Sequence, residues 1–306
     1  MSGDTGVKET PDRDAEVSLF DRVDRIDRSR VALYAVLLGM VAFYLAPLES
    51  GLMTAFKTTD GFRATTPFAP PPAGEFTLDA WQVAFQRLST GLTNSAMMAI
   101  PATVLSAFFG SIAAYGLTNL NWRGQIGVLT LFVAGVFIPY QAVLVPLTQF
   151  WSFVDLGARI PLAFVDDYQG LINLSITHTA YGIPICTVLF RAYYATLDDE
   201  MLEAARLDGA SAMTIYRRIV LPLSVPIFAV TLIYQFTQVW NDLLFAIVLV
   251  SDPSNQVVTV ALNQLQGSFV QEYNLQMAGA FIAALPTLIV YVLFGEQFAK
   301  GVAGDT

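Results

Sequence analysis

Apolar and polar residues separate along this chain into long blocks instead of alternating. Charge-free runs extend from Leu88 to Trp122, Gly124 to Val154, Tyr168 to Phe190, Ile219 to Asn241 and Tyr273 to Gly295, with a shorter one from Val31 to Leu48. Each approaches or exceeds the ~20 residues that a helix needs to cross the hydrocarbon core of a bilayer. None shows the period-2 alternation of barrel strands, so helices are the spanning structure. The pattern predicts an all-α membrane protein with six transmembrane helices, near 31–49, 92–117, 126–150, 171–190, 225–250 and 275–294. Six spans place both termini on one side. Around the transmembrane domain, 31–300, lie an acidic tail, 1–30, and a short C-terminal tail, 301–306; a polar loop, 191–224, separates the fourth and fifth spans.

Composition agrees with this reading, because a 306-residue chain that is 55% hydrophobic and 13% charged cannot fold in water without large exposed apolar patches. Of the sixteen Lys and Arg residues, twelve fall in the termini and the even-numbered loops. Lys57, Arg63, Arg87 and Arg159 are the four on the opposite face. Basic residues near span ends stay in the cytoplasm, so the termini and the loop from Arg191 to Ser224 are expected there. A net charge of -9 argues against nucleic acid and against a polybasic lipid anchor. The same acidity suits a salty habitat, which growth and stability at low salt would test.

Thirty polar residues precede the first apolar run, and no convincing cleavage site follows it, so it reads as a retained anchor and not a signal peptide. Within the tail, Leu19, Phe20, Val23 and Ile26 recur at helical spacing, and Asp21 with Arg25 and Asp24 with Arg28 pair four apart. Two readings are open for this tail: an amphipathic helix on the membrane surface, or a solvated charged segment. Cys186 stands alone, which excludes an internal disulfide. His178 is the single histidine, so no two-histidine metal site or histidine relay can form. A phosphate-binding loop with Lys and Ser or Thr is missing too, which leaves any ATP hydrolysis to another subunit.

The polar loop carries the most specific signal. Asp198, Asp199 and Glu200 suit a helix N-terminus, Met201 to Leu207 continue it, and Gly209 stops it by accepting a left-handed backbone. A second segment starts at Ser211, carries Tyr216, Arg217 and Arg218, and meets Pro222 before the membrane. Glu203-Ala204-Ala205, three residues, Gly209, nine residues, Ile219, one residue and Leu221-Pro222 resemble the cytoplasmic signature of the transmembrane subunits of ATP-binding cassette importers at every fixed position. That resemblance implies that Glu200 to Leu207, with Asp208, is a cytoplasmic coupling helix seated on a nucleotide-binding subunit. An ordinary interfacial helix with a capping glycine is the alternative.

Asn94-Ser95, Ala113-Ala114-Tyr115, the run from Glu203 to Ala210 and Trp240-Asn241-Asp242 are similar to the six-span permeases of the carbohydrate-uptake group, over residues 30–300. The stretches 178–191, 235–245 and 257–263 are most similar to glucose- or mannose-type importers. The resemblance implies a second permease subunit as heterodimer partner, two ATPase subunits holding ATP and magnesium, an extracellular sugar-binding protein and the surrounding lipid, with no cofactor on this chain. Trp240, Asn241 and Asp242 suit a sugar site, the indole stacking and the polar groups binding hydroxyls; equally, Trp240 suits an interfacial belt and Asp242 a contact with the second permease. Tyr234 and Gln238 extend a polar face toward Asn241 and Asp242. Two outer segments, 51–86 with Pro67, Pro70, Pro71 and Pro72, and 251–274, are expected to receive the binding protein or to be inert surface; Val257 to Leu265 is apolar enough to dip into the membrane edge. Rival functions are a secondary carrier, which calls for ion sites and an internal repeat, and a membrane enzyme, which calls for clustered acids or histidines. Disaccharides, polyols and glycerol phosphate stand beside glucose as cargo.

Overall fold

The computed structural model describes residues 28–266 and 272–303. The amphipathic segment from Leu19 to Ile26 and the last three residues lie outside that range. Ten helices organise the description: α1 (Arg28–Ala55), α2 (Asp79–Thr118), α3 (Gln125–Val136), α4 (Tyr140–Val154), α5 (Gln169–Tyr194), α6 (Asp199–Leu207), α7 (Val225–Trp240), α8 (Leu244–Leu249), α9 (Val258–Gln264) and α10 (Tyr273–Ala303). Among the described residues there is no named strand, only an isolated bridge between Lys57 and Phe76.

At the centre runs α2, packed against α5, α7, α9 and α10. Its buried stripe is made of small residues, including Ala99, Ala102, Ser106, Gly110 and Ala114. Small side chains let helix backbones approach where lipid supplies no hydrophobic drive for association. The tightest site is Gly182 of α5, where a Cβ would collide with the side chains of Gln235 and Ser106. Ser106 Oγ donates to the Thr179 carbonyl of α5 at 3.2 Å and accepts from Gln235 Nε2 of α7 at 3.4 Å, so the crossing of α2, α5 and α7 is polar and closed.

Among the described residues three helices, α1, α2 and α10, are long and apolar enough to cross a membrane, and the number rises to five if each of two bent pairs is one span. The expected fourth span exists as α5 but falls outside that group. Its Asn173, Thr177, His178 and Thr179 point inward and dilute its apolar content. The expected third span is broken: α3 and α4 meet at 101°. Pro139, which lacks an N–H and holds extended backbone at φ -69° and ψ 138°, starts the second piece. A 77° bend separates Ala212–Leu223 from α7 at Ser224. The expected fifth span also ends early, at Trp240, and resumes as α8.

Helix α1 touches the bundle through α10. Gly51 sits at that contact, where a Cβ would be 3.4 Å from both Met277 Sδ and Phe281 Cε2. Val31, Leu38, Phe43 and Tyr44 are exposed, a face that lipid or a partner must cover.

Candidate functional site

Near the Thr118 end of α2 lies the acidic loop. Asp198 caps α6 by accepting from the Glu200 N–H at 2.9 Å, and Asp199 and Glu200 sit in the first turn. Gly209, at φ +81°, closes the other end; the Ala210 N–H donates to the Ala205 carbonyl at 3.0 Å and the Gly209 N–H to that of Arg206 at 3.0 Å. This left-handed closure is the geometry expected of a glycine just past a helix.

One face of α6 is anchored. Leu202 is buried, Ala205 is half-buried, and Arg206 Nη2 donates to the Asn119 carbonyl at 2.8 Å. The other face is open: Glu203, Ala204, Asp208 and Gly209 are exposed, and Leu207 is 89% exposed. An exposed leucine flanked by carboxylates and small residues is a surface made for a partner.

Beyond the turn, Ser211 caps Ala212–Ile215 by accepting from the Thr214 N–H, and the chain then widens into one π-helical turn, Tyr216–Val220. Ile215, Tyr216 and Val220 are buried, whereas Ile219 and Leu221 are half-buried and Pro222 is exposed. Glu203, Ala204, Ala205, Asp208, Gly209, Ile219, Leu221 and Pro222 therefore lie on one folded unit with two layers, an outer acidic helix and an inner apolar strap.

The expected polar face of α7 divides in two. Tyr234 is 39% exposed, and Gln238 and Asn241 are also exposed, spaced along one side of the helix. Trp240 points the opposite way: it is 3% exposed, stacks on Phe236, and donates its indole N–H to the Ala283 carbonyl at 2.9 Å. An indole so placed is a strut between α7 and α10.

Asp242 is buried within this chain. Its Oδ1 and Oδ2 accept from the Phe245 and Ala246 N–H groups at 3.4 and 3.2 Å, which caps α8. His178 Nε2 lies 3.3 Å from Asp242 Oδ2, off the line of a good hydrogen bond. The pair joins α5 to the break between α7 and α8. Only the tertiary structure reveals it; the sequence signal was that each is a lone ionisable group in an apolar run, and such groups need partners.

At the Asp79 end of α2 the motif residues Asn94 and Ser95 have a clear task, although α2 begins well before them. Asn94 Nδ2 donates to the Ser254 and Gln256 carbonyls at 2.8 and 3.0 Å, and Ser95 Oγ accepts from the Val258 N–H at 2.8 Å. This fastening holds α9 against α2 and α10, with Val257, Val258 and Leu265 buried. Nearby, the Ser254 N–H and hydroxyl donate to Asp252 and hold its carboxyl below the usual aspartate range. Together with Asp166, Asp167, Asn173 and Asn255, it borders a polar cavity of about 340 Å³.

An α-helical membrane bundle with broken spans, whose signature loop folds as an exposed acidic helix closed by a left-handed glycine, agrees with the resemblance to the transmembrane subunits of ATP-binding cassette importers. Residues 106–302 match the family described as binding-protein-dependent transport system inner membrane component, and the chain belongs to that family. It is 50% identical over 289 residues to the xylose/arabinose import permease protein of Haloferax volcanii, covering 91% of this chain and 94% of the relative. It is also 28% identical over 280 residues to the glucose import system permease protein of Saccharolobus solfataricus, covering 89% and 93%. The fold resembles that of a chain in the crystal structure of a bacterial transporter importing the acidic polysaccharide alginate, at a TM-score of 0.69 and 19% identity over 90% of this chain and 98% of that one. The chain is thus an importer permease of the sugar-uptake group.

Proposed function

We propose that this chain forms half of the pathway of an ATP-driven monosaccharide importer, with a pentose such as xylose or arabinose ahead of glucose as cargo. The observation that carries the importer reading is the folded signature loop: the motif's acidic helix is exposed while its strap is anchored, as a surface that must bind and move requires. The pentose preference draws on the 50% identical relative.

In this reading the termini and α6 are cytoplasmic, following the twelve basic residues of that face. A second permease completes the pathway, two partner subunits hold ATP and magnesium, and an extracellular sugar-binding protein delivers cargo to the end where Asn94 holds α9. Tyr234, Gln238 and Asn241 face the pathway between the two permeases, since exposed amide groups at membrane depth call for water or a polar partner. Closure of the ATPase subunits pushes on α6, and the strap from Gly209 to Pro222 passes that push to α7.

Uptake of labelled xylose, arabinose and glucose by a deletion strain, complemented with wild type or Glu203→Arg, tests the proposal. Restoration by wild type, loss in Glu203→Arg at equal membrane abundance, and strongest uptake of a pentose are the expected outcomes. Full uptake by Glu203→Arg would remove the coupling role. Glucose outcompeting both pentoses would reverse the cargo order.

A further inference from the structure

A cluster of hydroxyl groups lies between the signature loop and the bundle, in a place that neither the exposed helix nor the pathway face uses. Ser111 of α2 is fully buried, and its Oγ lies 2.6 Å from Tyr194 Oη of α5 and 2.8 Å from Tyr216 Oη of the π-helical turn. Both tyrosines are buried as well. The hydroxyl of Ser224, the residue at the 77° bend into α7, neighbours Tyr194. Beside the cluster, Tyr115 stacks against Tyr216 with ring centroids 5.3 Å apart and donates its hydroxyl to the Ala212 carbonyl at 3.0 Å. Three separate pieces of chain therefore meet on one set of hydroxyls: α2, α5 and the strap after Gly209, which runs on to the bend at Ser224, whose hydroxyl donates to the Val220 carbonyl.

Two features set this cluster apart from ordinary core packing. Hydroxyls both donate and accept, so the same three oxygens can exchange partners without leaving any of them unsatisfied. A π-helical turn, moreover, is a backbone defect that costs stability and collects at functional positions. Buried polar groups so connected hold one arrangement firmly, and a shift to another must occur as a step and not as a gradual drift.

We infer that Ser111, Tyr194 and Tyr216 are positioning residues for transport: their hydroxyl junction transmits displacement of α6 to the bend at Ser224, and so ties ATP hydrolysis to opening of the pathway. This rests on the proposed reading of the chain as an ATP-coupled permease. Removing a hydroxyl while keeping its ring or Cβ should leave the assembled transporter intact but loosen the link between hydrolysis and uptake.

The test uses the whole transporter in lipid vesicles, with its ATPase subunits and sugar-binding protein, and reads sugar transported per ATP hydrolysed. Tyr216→Phe keeps the stack on Tyr115, Tyr194→Phe keeps the packing of α5, and Ser111→Ala removes the shared oxygen. Each tyrosine variant should lower the transport-to-hydrolysis ratio by about threefold to tenfold, the range set by loss of one buried hydrogen bond, and Ser111→Ala, which loses two, by at least as much. Because the ratio is taken per assembled complex, lower yield does not alter it, and a ratio equal to wild type in all three variants overturns the inference. Glu203→Arg, measured alongside, separates the two ideas. If that variant transports normally the underlying reading falls, and if it alone loses transport only the hydroxyl junction falls.

Discussion

At the scale of single residues, the positions that matter most are those where one atom more would not fit, or one atom fewer would leave a charge exposed to hydrocarbon. Gly182 is the first kind. Its missing Cβ is the space occupied by Gln235 Nε2 and Ser106 Oγ, so Gly182→Ala must displace a polar contact at the crossing of three helices. Such overpacking costs ~1–3 kcal/mol, and thermal unfolding of the detergent-solubilised subunit should show a lowered midpoint that Gln235→Ala partly restores. Asp242 is the second kind, with a carboxylate that caps α8 and faces His178. Both residues stood out in the sequence as lone ionisable groups. Their pairing did not, because 63 intervening residues carry no periodic signal and only the packing of α5 on α8 brings them together.

At the scale of elements, helix lengths were legible and helix breaks were not. Charge-free runs are set by the thickness of the bilayer, and α1, α2, α5 and α10 correspond to four of them. At the bend before Ser224 the Tyr193 hydroxyl of α5 donates to the Leu223 carbonyl at 2.7 Å, and proline alone does not decide where helices break, since α1, α2, α5 and α10 each carry an internal proline. The coupling loop was read closely because a glycine at +81° and an Asp cap are local chemistry. The outer segment after Ser251, by contrast, is fastened by Asn94, far off in sequence, and no local pattern announces that contact. Asn94→Ala should release it: hydrogen exchange at residues 254–260 is expected to quicken by roughly tenfold, reflecting two lost hydrogen bonds of ~0.5–1.5 kcal/mol each, with exchange in α6 unchanged.

For the whole molecule, the open question is which surfaces meet water, lipid or protein. Tyr234, Gln238 and Asn241 are exposed on α7, and so is most of α1, yet the two faces differ in chemistry. If the first lines a hydrated pathway, Gln238→Cys in cells should react with a charged, membrane-impermeant maleimide and be protected by transported sugar. Val41→Cys, on the apolar face of α1, should not react. Cys186 is fully buried, so it adds little background to either measurement. By itself the sequence determined the class: hydrophobic blocks of spanning length dictated helices, and the spacing from Glu203 to Pro222 specified an importer permease, because both signals are local or strictly periodic. Only the tertiary structure decided how Trp240 and Asp242 are used, where spans break, and that Ser111, Tyr194 and Tyr216 share one junction. Those outcomes depend on which backbone approaches which, and between distant helices that is settled by small residues and buried polar contacts that leave no pattern along the chain.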